Sequence, residues 1–222
     1  METYNIQRPP KQVVEGFRSI CTSTIADLLD EMGLKGIMYG IRPVAPGARM
    51  VGPAVTVKEV SGDVGTYTDG DFSIGTVIES AASGDILVFD NAGKEISTWG
   101  GLATTAAKER GIAGAVIDGG CRDADETIEM GFPIFSRHIT PTPARTRIKI
   151  LEVNGRVLCG SARVCPGDII VADRTGVVVV PREKAGDILK RAHAFEKAET
   201  EFVNALKKGK TFNQMHQETG RF

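Results

Sequence analysis

The chain has 222 residues, 41% of them hydrophobic, and a formal net charge of −1 with its Lys and Arg scattered. That is enough apolar material for one sizeable core, and it leaves no basic stripe for nucleic acid or for an anionic membrane. No apolar run approaches the roughly 20 residues that span a bilayer, and the polar start METYNIQRPPKQ is neither a signal nor a transit peptide, so a cytoplasmic location is expected.

Residues 9–33 carry a helical pattern (Val13, Val14, Phe17, Ile20, then Ile25, Leu28, Leu29, Met32), with Ser23/Thr24 and Asp27 placed as a restart cap and Gly33 at the end. The pattern reads as two short helices or one kinked one. Residues 36–53 are rich in Gly and Pro and read as irregular, whereas 54–60 (AVTVKEV) alternate like a strand. The polar, Gly-rich loop 61–71 is either a cover over a site or a solvated connector. A helix at about 72–82 leads to GDILVFD (84–90), which recurs as GDIIVAD (167–173). A shared Gly-Asp turn feeding a buried strand explains the recurrence without a duplicated domain.

The stretch 99–125, WGGLATTAAKERGIAGAVIDGGCRDAD, is where chemistry is expected. Gly100-Gly101 opens a helical pattern (Leu102, Ala103, Ala106, Ala107) that Lys108 and Arg110 finish electrostatically and Gly111 caps. Gly100 to Ala103 should therefore offer free backbone N–H groups at a positive helix end. Residues 112–117 read as a buried parallel strand that stops at Asp118, with Gly119-Gly120 as a tight turn. Arg122 and Asp123 then sit just past the carboxyl end of a strand, where open α/β sheets bind ligands. Helix-terminal amides, a guanidinium for a carboxylate and an aspartate for a cation together describe a small-anion site. The bland alternative is an exposed ion pair. Asp125 and Glu126 read as helix N-terminal charges and Trp99 as a packing residue. Four cysteines (Cys21, Cys121, Cys159, Cys165) lack CxxC spacing and three histidines (His138, His193, His216) are far apart, so neither a zinc site nor a disulfide framework is indicated. Cys121 adjoins Arg122, a setting that lowers thiol pKa values, but no His or Asn partner for a nucleophile is identifiable.

Residues 124–130, with Gly131 as cap, form a short helix before the strand 133–136, in a right-handed βαβ order. After a Pro-rich link (139–147), residues 148–153, the Asn154-Gly155 pair and residues 156–159 give a hairpin signal. A second hairpin joins 169–172 to 177–180 through Asp173-Arg174-Thr175-Gly176. Pro181 precedes a long helix at about 182–208, with an apolar stripe of Ala185, Ile188, Leu189, Ala192, Phe195, Phe202 and Leu206. This arm packs on its own domain or on a neighbouring subunit, and the tail 209–222 is polar. The expectation is one structural domain: a helical segment 1–35, an α/β core 36–181 and a C-terminal helical arm 182–222.

At WGGLATTAAKERG followed by VIDGGCRDADE, and onward through GDILVFD, GFPIFSR, ITP and GDIIVADRTGVVVVPRE, the chain resembles the RraA-like superfamily over most of residues 20–200. That superfamily includes the 4-hydroxy-4-methyl-2-oxoglutarate and 4-carboxy-4-hydroxy-2-oxoadipate aldolases and oxaloacetate decarboxylases. The resemblance implies an α/β fold, a three-layer β/β/α sandwich with a mixed sheet plus a long C-terminal helix. It also implies homotrimers or homohexamers with sites near subunit interfaces. Position by position, Arg122 matches the substrate arginine and Asp123 the direct carboxylate ligand for Mg²⁺ or Mn²⁺. Gly100, Gly101, Leu102 and Ala103 match the loop whose amides hold the pyruvyl carboxylate of a 2-oxo acid. Glu199 matches an acidic residue contributed by a neighbouring subunit, with Glu196 and Glu201 as alternatives. Retro-aldol cleavage and oxaloacetate decarboxylation both pass through a pyruvate enolate, so one metal-dependent site serves both. One position departs: many aldolase members carry Asp or Glu where this chain has Gly101. The regulator branch, which binds and inhibits ribonuclease E, has Gly there, and a non-catalytic regulator with a protein partner is the alternative reading. Asp118, Asp125 and Glu126 are the nearby carboxylates for an acid/base role.

Overall fold

The computed structural model describes residues 1–220. In chain order the elements are β1 (Glu2–Thr3), α1 (Lys11–Gly16), α2 (Thr22–Glu31), β2 (Arg42–Pro43), β3 (Met50–Ser61), α3 (Ile74–Ser80), β4 (Ile86–Asp90), β5 (Ser97–Trp99), α4 (Gly101–Glu109), β6 (Gly114–Cys121), α5 (Ala124–Glu129) and β7 (Ile134–Ile139). Then follow β8 (Ile148–Val153), β9 (Val157–Cys159), β10 (Ala162–Val164), β11 (Ile169–Asp173), β12 (Gly176–Val180), α6 (Ala185–Lys207) and α7 (Phe212–Thr219). The main sheet has the order β1-β8-β3-β4-β6-β7-β2, with β5 alongside the end of β6. Its centre, β3-β4-β6-β7, is parallel, as buried βαβ strands require. β3 serves two layers: Met50 to Pro53 pair with β11, and the residues after them pair with β4 and β8.

Alternation along the buried strands sets the layers. On β4, Leu87 and Phe89 face α3 and α4, while Ile86 and Val88 face the second β layer. On β11 and β12, Ile170 and Val179 look inward at those residues, and Ile169, Val171, Val178 and Val180 look outward. Outside them Phe17, Ile25, Leu29 and Ile188 of the N-terminal segment and α6 close a third cluster. The β/β/α sandwich is thus present, with a helical layer added on its outer β face. The N-terminal pattern resolves into two helices. Both Gly-Asp turns behave alike, Asp85 accepting from the Ala82 N–H (2.8 Å) and Asp168 from the Cys165 N–H (2.8 Å). Among the described residues no helix is long and apolar enough to cross a membrane.

Three local expectations are corrected, and two elements are present that the sequence did not signal. The strand expected at 54–60, β3, begins at Met50 and not at Ala54, because residues 50–53 are recruited by β11; a Cβ on Gly52 would lie 2.3 Å from the Gly84 carbonyl oxygen, so glycine allows that packing. β6 does not stop at Asp118 but runs to Cys121, and Gly120 is a close-packing strand residue whose Cβ would meet Thr140 Cγ2 at 2.6 Å. The hairpin expected at Asn154-Gly155 does not form. Asn154 is left-handed (φ 59°), but its N–H donates to Thr56 O (2.7 Å) and its Nδ2 to Tyr4 O (3.2 Å), which keeps β8 between β1 and β3. β9 pairs instead with β10 around Gly160-Ser161, both at positive φ (52° and 70°), the geometry of a two-residue primed turn. The short β5 carries no periodicity signal, having only three residues. Finally, the polar tail contains α7, capped by Thr211 accepting from the Gln214 N–H and held by Phe212 edge-on to Phe202 at 5.2 Å. Its last two residues, Arg221 and Phe222, lie outside the described residues.

Candidate active site

The site forms where the end of β6 meets the start of α4. The Arg122 N–H donates to Trp99 O (2.9 Å), tying the end of β6 to β5. Trp99 is a packing residue: its ring stacks on Phe132 at 6.0 Å and its Nε1 donates to Thr104 Oγ1 (2.8 Å). Asp123 caps α5 in the left-handed region (φ 55°, ψ 41°), a conformation that is costly for most side chains and least so for Asp and Asn. That turn swings its carboxylate back over α4. Oδ2 accepts the Gly101 N–H at 3.0 Å and lies 3.4 Å from Arg122 Nε, while Oδ1 has no partner among the described residues. A Cβ on Gly100 would sit 2.6 Å from Asp123 Oδ2, so this glycine makes room for the carboxylate.

The open amides are fewer than the sequence suggests, since Asp123 takes the one at Gly101. Those of Leu102 and Ala103 have no partner among the described residues, and the Thr104 N–H closes the first turn onto Gly100 O. They face a cavity of about 370 Å³ lined by Gly100 to Ala103 and Arg122 on one side and by Phe72, Ile74, Pro143, Ala144 and Arg145 on the other. Asp123 opens on an adjoining depression of about 280 Å³ with Ile139, Thr140 and Pro141, and Arg122 borders both. Arg122 is thus the hinge of the arrangement. Both members of the Arg122–Asp123 pair are about half exposed, so as an isolated ion pair it would contribute little; its content is the convergence with the α4 amides.

Glu199 lies elsewhere, on α6 beside a surface cavity with Phe202, Val203, Leu206 and Phe212. Asp118 is not free for chemistry, being held by Arg137 Nε (2.6 Å) and the Gly160 N–H (2.8 Å). Cys121 is fully buried and burial pushes its thiol up, away from nucleophile behaviour. Among the described residues no three His, Cys, Asp or Glu side chains converge as a metal cage.

Two groups at the site were not singled out by sequence. Arg145, from the Pro-rich link, pairs with Asp69 (2.9 and 2.7 Å), so the polar loop 61–71 reaches the cavity mouth after all. Its only sequence signal is a basic residue in a Pro/Thr link. Glu59 lies behind Thr98, only 2% exposed, with both carboxyl oxygens 2.5 and 2.6 Å from Thr98 Oγ1. Burial pushes this carboxyl up to about 8, with the nearby Asp90 charge adding to the shift, so Glu59 is a neutral acid at pH 7. Nothing in the alternation of β3 distinguishes it from an outward-facing glutamate.

Fold and site together define an α/β protein that turns a guanidinium and helix-terminal amides toward one small cavity. Residues 22–179 match the RraA-like family, described as Aldolase/RraA, and the chain belongs to that family. It is 35% identical over 177 residues, 79% of this chain and 80% of the relative, to a Halalkalibacterium halodurans protein named "Putative 4-hydroxy-4-methyl-2-oxoglutarate aldolase". Among solved structures it resembles an uncharacterized protein from Pseudomonas syringae pv. tomato (TM-score 0.84, 31% identity, 95% of this chain and 99% of that one). It also resembles Streptomyces coelicolor RraAS2, described as an unusual member of the RNase ES inhibitor RraA family (TM-score 0.81, 29% identity, 90% and 99%). The family therefore spans proteins named as enzymes and proteins named as regulators.

Proposed function

We propose that this chain is a cytoplasmic, divalent-metal-dependent carbon–carbon lyase. It would cleave a 4-hydroxy-2-oxo acid, 4-hydroxy-4-methyl-2-oxoglutarate or 4-carboxy-4-hydroxy-2-oxoadipate, to release pyruvate, and decarboxylate oxaloacetate at the same site. The observation that carries the reading is that Arg122 borders both the cavity faced by the unpartnered Leu102 and Ala103 amides and the adjoining depression onto which the Asp123 carboxylate opens. The aldolase name of the relative described above supports it. The cavity's size lies within the roughly 300–1,000 Å³ of small-molecule sites.

In this reading the amides of Leu102 and Ala103 receive the pyruvyl carboxylate, and Arg122 holds the same end of the substrate and neutralises the enolate charge that develops. Asp123 is the residue that would hold Mg²⁺ or Mn²⁺: its Oδ1 has no partner among the described residues, and a hard cation that keeps several waters is content with one protein carboxylate plus a chelating substrate. The chemistry a bound cation supplies there is Lewis-acid polarisation of the 2-oxo group. Glu199 is assigned to the site of a neighbouring copy in a homotrimer or homohexamer.

The competing reading, a regulator that binds a ribonuclease, is favoured by Gly101 and by the likeness to RraAS2. The two separate cleanly in one experiment. Arg122→Ala and Asp123→Ala should each abolish metal-dependent pyruvate release while far-UV circular dichroism stays that of the parent. Full turnover in either variant would remove this site from consideration. A parent that turns nothing over yet binds an RNase E-type ribonuclease saturably would establish the regulator.

A further inference from the structure

A retro-aldol cleavage needs a base for the substrate hydroxyl, and neither Arg122 nor Asp123 is free to be one. The Arg122 guanidinium has donors and no acceptor, and of the Asp123 carboxylate Oδ2 is engaged by the Gly101 N–H while Oδ1 is the atom assigned to the cation. Of the nearby carboxylates, Asp118 is committed to Arg137 and Gly160. Glu126 is placed differently. A Cβ built on Gly101 would lie 2.2 and 2.7 Å from the two Glu126 carboxylate oxygens and 2.5 Å from its Cδ. The carboxylate therefore lies against the α-carbon of Gly101, in the space a side chain would fill. Two successive glycines are each faced by a carboxylate, Gly100 by Asp123 and Gly101 by Glu126.

The structural role for a glutamate at this position is the capping box, in which the third helical residue reaches back to the cap N–H. Here Asp123 is the cap of α5 and Glu126 that third residue, yet no side-chain cap bond forms. Glu126 crosses to α4 instead, no hydrogen bond or ion pair holds its carboxylate among the described residues, and it is open to solvent. It is a carboxylate parked beside the site with both oxygens unspent.

Resting on the lyase reading above, we propose that Glu126 is the proton-transferring group of the site. It takes the proton of the 4-hydroxyl; the O–H electrons form the new carbonyl, the bond between carbons 3 and 4 breaks, and its electron pair becomes the enolate of the pyruvyl fragment. The same proton returns from Glu126 to carbon 3, giving pyruvate, with no oxidant or co-reactant needed. Oxaloacetate has no hydroxyl to deprotonate, so its decarboxylation depends on Glu126 only for the final protonation.

The test compares both reactions in the parent, Glu126→Gln, Gly101→Ala and the double variant. Alanine in the first turn of α4 keeps the backbone N–H and favours the helix, and its methyl displaces the flexible Glu126 carboxylate. The ratio of 4-hydroxy-4-methyl-2-oxoglutarate cleavage to oxaloacetate decarboxylation should fall about 100-fold in Glu126→Gln, the usual size of a lost general base. Gly101→Ala should lower the same ratio and add nothing to Glu126→Gln. Pyruvate affinity, read by calorimetry, should change less than about threefold, since the amides and Arg122 remain. An unchanged ratio, or both reactions falling in step, overturns the assignment of Glu126 while leaving the lyase intact. A parent that releases pyruvate from neither substrate overturns the lyase reading and this inference with it.

Discussion

Replacing Glu59 by Gln tests whether the carboxyl behind Thr98 is held as a neutral acid. In the folded chain burial moves its pKa to about 8 from the ordinary 4.5. Between those values the unfolded chain has lost a proton that the folded chain keeps, so stability is fully present below pH 4.5, declines as pH rises, and levels off above about 8. The slope is about 1.4 kcal/mol per pH unit, or about 3 kcal/mol between pH 5 and pH 7. Gln is nearly isosteric, retains a hydrogen bond to Thr98 and cannot ionise. Urea unfolding followed by Trp99 fluorescence should show Glu59→Gln gaining about 3 kcal/mol on the parent from pH 5 to pH 7. All other titrations cancel in the difference. Parallel stability profiles for the two proteins would refute the reasoning, because they would mean that Glu59 titrates alike in both states.

Three further outcomes follow from the geometry. Trp99→Ala, which empties the space beside Phe89 and Phe132, should cost about 3–5 kcal/mol of stability by urea titration followed by circular dichroism. Gly160→Ala should cost about 1–3 kcal/mol by the same assay, since the position has φ 52° and its methyl would meet the Met38 and Tyr39 backbone at 2.8–2.9 Å; an unchanged midpoint would contradict the β9–β10 turn described above. On the lyase reading, Arg145→Ala removes a cation from the cavity rim and should raise KM several-fold with kcat nearly kept, an effect that shrinks in high salt.

β4, β6, β11 and β12 were legible as buried strands because their apolar runs are nearly continuous, and α4 because its glycine start and Gly111 stop are local signals; which residues face which core follows from the pleat of the strands in the structure. The Asn154-Gly155 hairpin failed for the opposite reason. Its turn signal is local, but the partners that decide the outcome, Thr56 and Tyr4, lie 98 and 150 residues away in sequence. The site divides along the same line. Gly100 to Ala103 and Arg122 could be read from a strand–loop–helix pattern. Arg145 reaches the cavity, and Glu59 the back of Thr98, only through tertiary packing, and the pairing of Glu126 with Gly101 joins two different helices across 25 residues. An exposed glutamate in a helix's first turn looks the same in sequence whether it faces water or a neighbouring helix.

The most direct measurement is pyruvate release from 4-hydroxy-4-methyl-2-oxoglutarate by the parent protein with Mg²⁺ and again with a chelator, corrected for the metal's own background. Turnover that disappears on chelation, returns with added metal and is missing in Asp123→Asn is the expected result. Turnover that survives chelation, or a parent inert on this and related 2-oxo acids with metal present, would contradict the account.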